Sequence, residues 1–305
     1  MNNQSGAALL AFVMILVVAS SLLLLKALHN SSIERDKITT TVLAQAKDAL
    51  IGRAVMDSER PGRLPCPDTN NDGSAEAFVD NTCPSYSGRL PWKSLGLPEL
   101  LDASGQRLWY ALSPALSNNL VQPVNSLTVG DLTVGEQSPL AAIILAPGPP
   151  LAGQTARPSN SIADYLDDSN ADGDSIYTAG PATNLFNDRL LTISTNDLFR
   201  VVSKRVAAEV RGNSAGGLCQ YYANSINHVY PWAAAGVDGV LPTSSTLFGF
   251  VPFTALTYSP ESLAWLTNNK WFERITYAVA PDQAKATLTV PPGTPVELSV
   301  AVCPP

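Results

Sequence analysis

The start of the chain constrains its fold more than any other feature. A short polar leader, MNNQS, is followed by Gly6 and then by an apolar stretch from Ala7 to Leu25, which ends at Lys26. At ~1.5 Å rise per residue such a stretch reaches about 28 Å as a helix, close to the hydrocarbon thickness of a bilayer. Residues 7–25 are therefore expected to form a transmembrane half-helix. Beyond it a more polar helical pattern runs to about Met56, and Pro61 stops it. Ile38, Val42, Ala46 and Leu50, joined by Leu43, Ile51 and Val55, recur at spacings of three and four and draw one apolar stripe along residues 26–56. The two halves together predict one helix of about 50 residues and ~75 Å. No globular domain needs a lone helix of that length that is apolar all round over half its course.

Two other readings of the apolar stretch compete. A secretory signal peptide wants a charged start, an apolar core of about 7 to 15 residues and a small-x-small cleavage site. Here the start is neutral and the core is longer. A plain uncleaved anchor needs neither. The charges set no orientation, because Lys26 and the Glu34, Arg35, Asp36, Lys37 cluster all lie on the far side of the stretch.

The remainder, 57–305, reads as an exported domain rich in sheet and loops. The chain of 305 residues carries 24 Pro and 20 Gly, with 15% charged residues and a net charge of −7. That composition argues against a helical bundle, and the acidic balance against a nucleic-acid partner. Cys66, Cys83, Cys219 and Cys303 are even in number and lie beyond the apolar stretch, which suggests two disulfides in an oxidising compartment. Four cysteines allow three connectivities. Proximity favours Cys66 with Cys83, a loop worth roughly 3 kcal/mol, and Cys219 with Cys303 would then tie back the C-terminal end. There is no CxxC, and His29 and His228 are the only histidines, so the pattern does not suit zinc.

The spacing that points to chemistry is that of a calcium loop. Asp68, Asn70 and Asp72 alternate and are followed by Gly73, and a second copy stands at Asp168, Asn170, Asp172, Gly173 and Asp174. Alternate oxygens can face one hard cation while Gly allows the tight turn. Val79 and Ala179 occupy the place of the twelfth-position Glu, so these are not EF-hands. Further ligands would have to come from Glu76 or Asp80 in the first loop and Asp167 or Asp174 in the second. A structural calcium ion is the expected cofactor; ordinary Asx turns are the competing reading.

The order of leader, Gly6, apolar half-helix, amphipathic half-helix and exported domain resembles that of type IV pilins and type II secretion pseudopilins. The opening GAALL is similar to that of the large minor, tip-type pseudopilin, which also lacks a Glu at the fifth position after the cut; here that position is Ala11. The resemblance implies cleavage between Gly6 and Ala7 by a prepilin peptidase, with methylation of the new N-terminus. It further implies a single-pass inner-membrane protein with a periplasmic domain before assembly, placed in a fibre or at the cell surface afterwards. Its partners would be other pilin or pseudopilin subunits.

In the domain, D-x-x-G-x-x-L-W-Y from Asp102 to Tyr110 resembles the family's turn into an aromatic strand. Strands are expected at Leu108–Leu112, Leu127–Val129, Ala141–Leu145, Leu190–Ile193, Ile275–Ala280, Ala286–Val290 and Val296–Val302. Helices are expected at Leu95–Leu101, after a cap at Ser194, Thr195 or Asn196 up to Gly212, and at Pro260–Thr267. The expected fold class is α+β: a long N-terminal helix, membrane half plus amphipathic half, packed on an antiparallel sheet with loop-rich insertions stabilised by disulfides and calcium. No G-x-S-x-G, H-E-x-x-H or phosphate-binding glycine loop occurs, so the chain is read as a non-enzyme. A late aromatic cluster including Tyr230, Trp232, Phe248, Phe250 and Phe253 suits a core or a partner-binding surface. The expected function is a minor pilin or pseudopilin that initiates or caps a pilus or secretion pseudopilus. A membrane-anchored, adhesin-like binding module that does not polymerise is the alternative.

Overall fold

The computed structural model describes residues 4–117 and 122–303. Helix α1 covers Gln4–Val55. Within it the side chains of 4–13, 15, 25 and 27–30 lie outside the described residues, and the expected processing pair Gly6 and Ala7 falls among them. From Thr39 onward α1 is docked: Leu43, Ala46, Leu50 and Ala54 are buried, with Val42, Ile51 and Val55 packed beside them. This is the apolar stripe read from the spacing, displaced toward the C-terminal end, since Ile38 is left exposed.

Two sheets follow. The larger contains β1 (Ser87–Arg89), β2 (Trp109–Leu112), β3 (Leu132–Val134), β4 (Gln137–Ala146), β5 (Ile176–Tyr177) and β6 (Arg189–Ser194). Their order is β1-β2-β4-β3-β5, with β6 also paired to β4. Strand β4 is buried continuously from Leu140 to Ala146, as befits a central strand covered on both faces. Side chains alternate between two clusters. Ala142, Ile144 and Ala146 face the main core with Leu50 and Val202, whereas Ile143 and Leu145 join Trp109, Tyr165 and Tyr177 on the opposite face.

Helix α2 (Thr195–Arg211) packs beside α1 on the main core. It starts at the first of the three caps the sequence offers: Ser194 Oγ accepts from the Asp197 N–H at 3.0 Å. It ends at Gly212, whose φ of +68° suits glycine. Helix α3 (Gly217–Asn224) follows. The second sheet is antiparallel, in the order β10-β9-β8-β7, and comprises β7 (Phe248–Gly249), β8 (Thr276–Val279), β9 (Ala286–Thr289) and β10 (Val296–Leu298). Helix α4 (Pro260–Asn268) precedes β8, its N-cap Ser259 accepting from the Ser262 N–H.

The structure corrects the expected fold class. Among the described residues no helix is long and apolar enough to cross a membrane, so the long N-terminal helix with a membrane half is not borne out. Ser20 and Ser21 interrupt the apolar surface, both turning their hydroxyls back onto the Val17 carbonyl. The single antiparallel sheet is replaced by two sheets, and the larger is mixed because β5 runs parallel to β3. Three local expectations also fall. Leu95–Leu101 forms turns around Gly96 and Pro98 rather than a helix. Leu127–Val129 belongs to a turn in which Asn125 Oδ1 accepts from the Leu127 N–H. The last strand stops at Leu298, and the chain then turns so that the Cys303 N–H reaches the Ser299 carbonyl.

Candidate functional site

Two regions stand apart from the packed core. The first is the uncovered part of α1. Met14, Leu16, Val17, Val18, Leu22, Leu23 and Leu24 are exposed, Leu23 at 69%. An apolar surface of this extent marks a place that something else covers. Where α1 meets the domain the joint is firmly made. Arg205 of α2 donates to the carbonyl of Val55 and, at 2.7 Å, to that of Asp57, giving partners to carbonyls the helix end leaves open. Buried Asp57 accepts from the N–H groups of Glu59 and Arg60 and pairs with Arg63 at 2.7 Å.

The second region is built by the two acidic loops. In the first, Asp68 is buried and its two oxygens accept from the N–H groups of Asn71 at 2.6 Å and Gly73 at 2.7 Å. Asn70 Oδ1 accepts from Asp72 N–H, and Asp72 Oδ1 from Ser74 N–H. That last bond holds the Asp72 carboxyl below its ordinary range. Glu76 Oε1 gathers the Thr69 hydroxyl and the N–H groups of Thr69 and Asn70. The Cys66–Cys83 disulfide closes this segment, and Cys219–Cys303 ties the C-terminal end to α3, the pairing that proximity favoured.

The second loop is built differently. Asn170 is wholly buried, exchanging bonds with Thr178 and donating to Asp188 Oδ2 at 3.0 Å, while Asp168, Asp172 and Asp174 stay exposed. Asp167 accepts from Gln154 Nε2 and Asn187 N–H, both at 2.7 Å, and its own N–H donates to Asp188. Burial pushes the Asp188 carboxyl up to about 7, against the hydrogen bonds from Asp167 N–H and Asn170. Among the described residues no group of three or more His, Cys, Asp or Glu side chains is placed to hold a metal ion. The motif oxygens with partners in the structure are engaged chiefly in turns of the loops themselves.

What the repeated spacing does not foretell is that the two loops meet. Asp68 and Thr69 from the first, and Ala171, Asp172 and Gly173 from the second, line one cleft of about 360 Å³. Arg89 and Trp109 line it as well. Arg89 is 5% exposed, with its guanidinium carbon 4.5 Å from the Trp109 ring centre and 4.2 Å from that of Tyr165. Burial lowers its pKa, countered chiefly by Tyr165. The tetrapeptide Gly-Arg-Leu-Pro occurs twice in the chain, at 62–65 and 88–91, and this repeat, which carries no chemistry by itself, is the sequence signal that could have drawn attention to Arg89. The comparisons with known proteins add no relative: the chain matches no family model, no curated protein and no solved structure.

Proposed function

We propose that the chain is a minor pilin or pseudopilin, a structural subunit that initiates or caps a type IV pilus or a secretion pseudopilus. The observation that carries this reading is the bare apolar surface of α1 from Met14 to Leu24, continuous with a docked half that a conventional core fully uses. Packing against equivalent helices of other subunits would cover it. In this reading a prepilin peptidase cuts between Gly6 and Ala7, the subunit waits at the inner membrane with its domain in the periplasm, and α1 enters the fibre on assembly. The two disulfides suit that compartment. The acidic loops then serve as rigid insertions on the domain, and calcium would be an addition to them rather than their scaffold.

The experiment is the intact mass and N-terminal sequence of the mature protein from cells that possess a prepilin peptidase. A chain beginning at methylated Ala7 is expected. A chain that still begins at Met1 would overturn the reading and leave an anchored module that does not polymerise.

A further inference from the structure

The cleft between the acidic loops contains a charge that has no ion-pair partner among the described residues. Arg89 is almost completely buried, yet among the described residues no carboxylate lies within ion-pair reach of it, and its acceptors are neutral ones, the Ser159 carbonyl at 3.2 Å from Nη2 and the Tyr165 hydroxyl. Its Nε has no acceptor and is sealed from water. Trp109, 3% exposed and stacked against it, has an indole Nε1–H in the same condition. Asp68 lines the cleft too, but its two oxygens are taken by the Asn71 and Gly73 N–H groups, so it acts on Arg89 only through space.

A buried cation without a counter-charge is costly, and so are buried N–H donors without acceptors. Two of them side by side in one cleft describe a site that is completed from outside. The Trp109 and Tyr165 rings both lie against the guanidinium, their centres 5.6 Å apart and their planes tilted by 47°. A planar, singly charged acceptor matches the fork of a guanidinium and balances its one charge. A dianion would meet Asp172 at the rim with twice the repulsion. The volume of 360 Å³ suits a compound of a few heavy groups or one protruding residue.

We propose that this cleft binds a small carboxylate, its oxygens taken by the terminal nitrogens of the Arg89 guanidinium, with the Trp109 indole beside them. The site is independent of whether α1 polymerises, so its failure and that of the assembly reading are separable.

The test is a titration of the full chain with N-acetylglycine, followed through the indole N–H resonances of its tryptophans in ¹H–¹⁵N spectra. One indole signal should move saturably in the millimolar range, and the same signal should be absent from Trp109→Phe. Asp172→Asn, at an exposed position, keeps the fold and should lower the half-saturating concentration by about threefold, because it removes a like charge from the rim. Inorganic phosphate and glycinamide should leave the signal in place. Three outcomes would each overturn the proposal: no indole movement in a chain whose other resonances remain those of the folded protein, equal movement with phosphate or glycinamide, or an Asp172→Asn chain that binds no more tightly than the parent.

Discussion

The loops at Asp68–Gly73 and Asp168–Gly173 spell nearly the same motif and use it in opposite ways. In the first, the leading Asp is buried and organises its own turn through backbone N–H groups. In the second, the leading Asp168 is exposed with φ of +50°, and the middle Asn170 is drawn inward to bind Thr178 and Asp188. Gly73 is pressed against Trp92, where an added Cβ would stand 2.6 Å from the ring. Gly173 meets nothing within 4 Å. One motif therefore builds a self-contained staple, and the other a skin over a buried acid pair. Alternating Asp, Asn and Gly fixes where turns can form, while the packing beneath decides which side chain turns inward.

The difference can be broken from either side. The largest effect is expected from replacing Cys66 and Cys83 together by Ser, which removes a closure across a sequence separation of 17 and should cost about 3 kcal/mol in urea unfolding. The Asp188 side chain should keep its native pKa in that variant, since it belongs to the other loop.

Next comes the acid pair. The folded-state pKa of Asp188, about 7, lies above its unfolded value of 3.8, so the native state holds a proton that the unfolded chain releases. That contribution is complete below about pH 4 and is lost as pH rises toward 7, the Arg157 charge and the Asn170 bond, which favour the charged form, being already included in that value. Denaturation midpoints measured across this window should show the decline, and Asp188→Asn should flatten it. A chain whose stability rises from pH 4 to 7 with the same slope in both forms would contradict a buried, protonated Asp188.

The glycines give the direct contrast. Gly73→Ala should cost about 2–3 kcal/mol, through a φ of +87° and the clash with Trp92. Gly173→Ala carries the strain of its φ of +79° alone and should cost about 1 kcal/mol. Equal losses would mean that Trp92 yields freely. The smallest effect is expected from calcium. With Asp68, Asn70 and Asp72 already accepting backbone N–H groups, saturating calcium or its removal by a chelator should move the melting temperature by less than about 1 °C. A rise of several degrees would place a cation in one loop and sharpen the comparison to the question of which.

These particulars show what the sequence can carry. The stripe from Ile38 to Val55 in all but its first residue, a cap at one of Ser194, Thr195 or Asn196, the stop at Gly212 and the buried strand at Ala141–Leu145 were legible because each rests on local spacing or a single side-chain bond. The cysteine pairing was legible through proximity. The parallel step from β3 to β5, the division into two sheets and the meeting of the acidic loops over Arg89 were not, because each joins segments tens of residues apart with no periodic signal. The calcium spacing is legible in the sequence, whereas the backbone N–H groups that several of its oxygens accept are not, because every residue type but proline supplies one.

The joint made by Arg205 has a mechanical meaning. Because one guanidinium grips the carbonyls of both Val55 and Asp57, the end of α1 cannot swivel on its domain without breaking two charge-assisted bonds at once. Rotation of the helix about its own axis is thereby converted into rotation of the whole head. The direction in which the Arg89 cleft faces is then set by the angular phase of α1, so a neighbour that packs against that helix would aim the cleft without touching it.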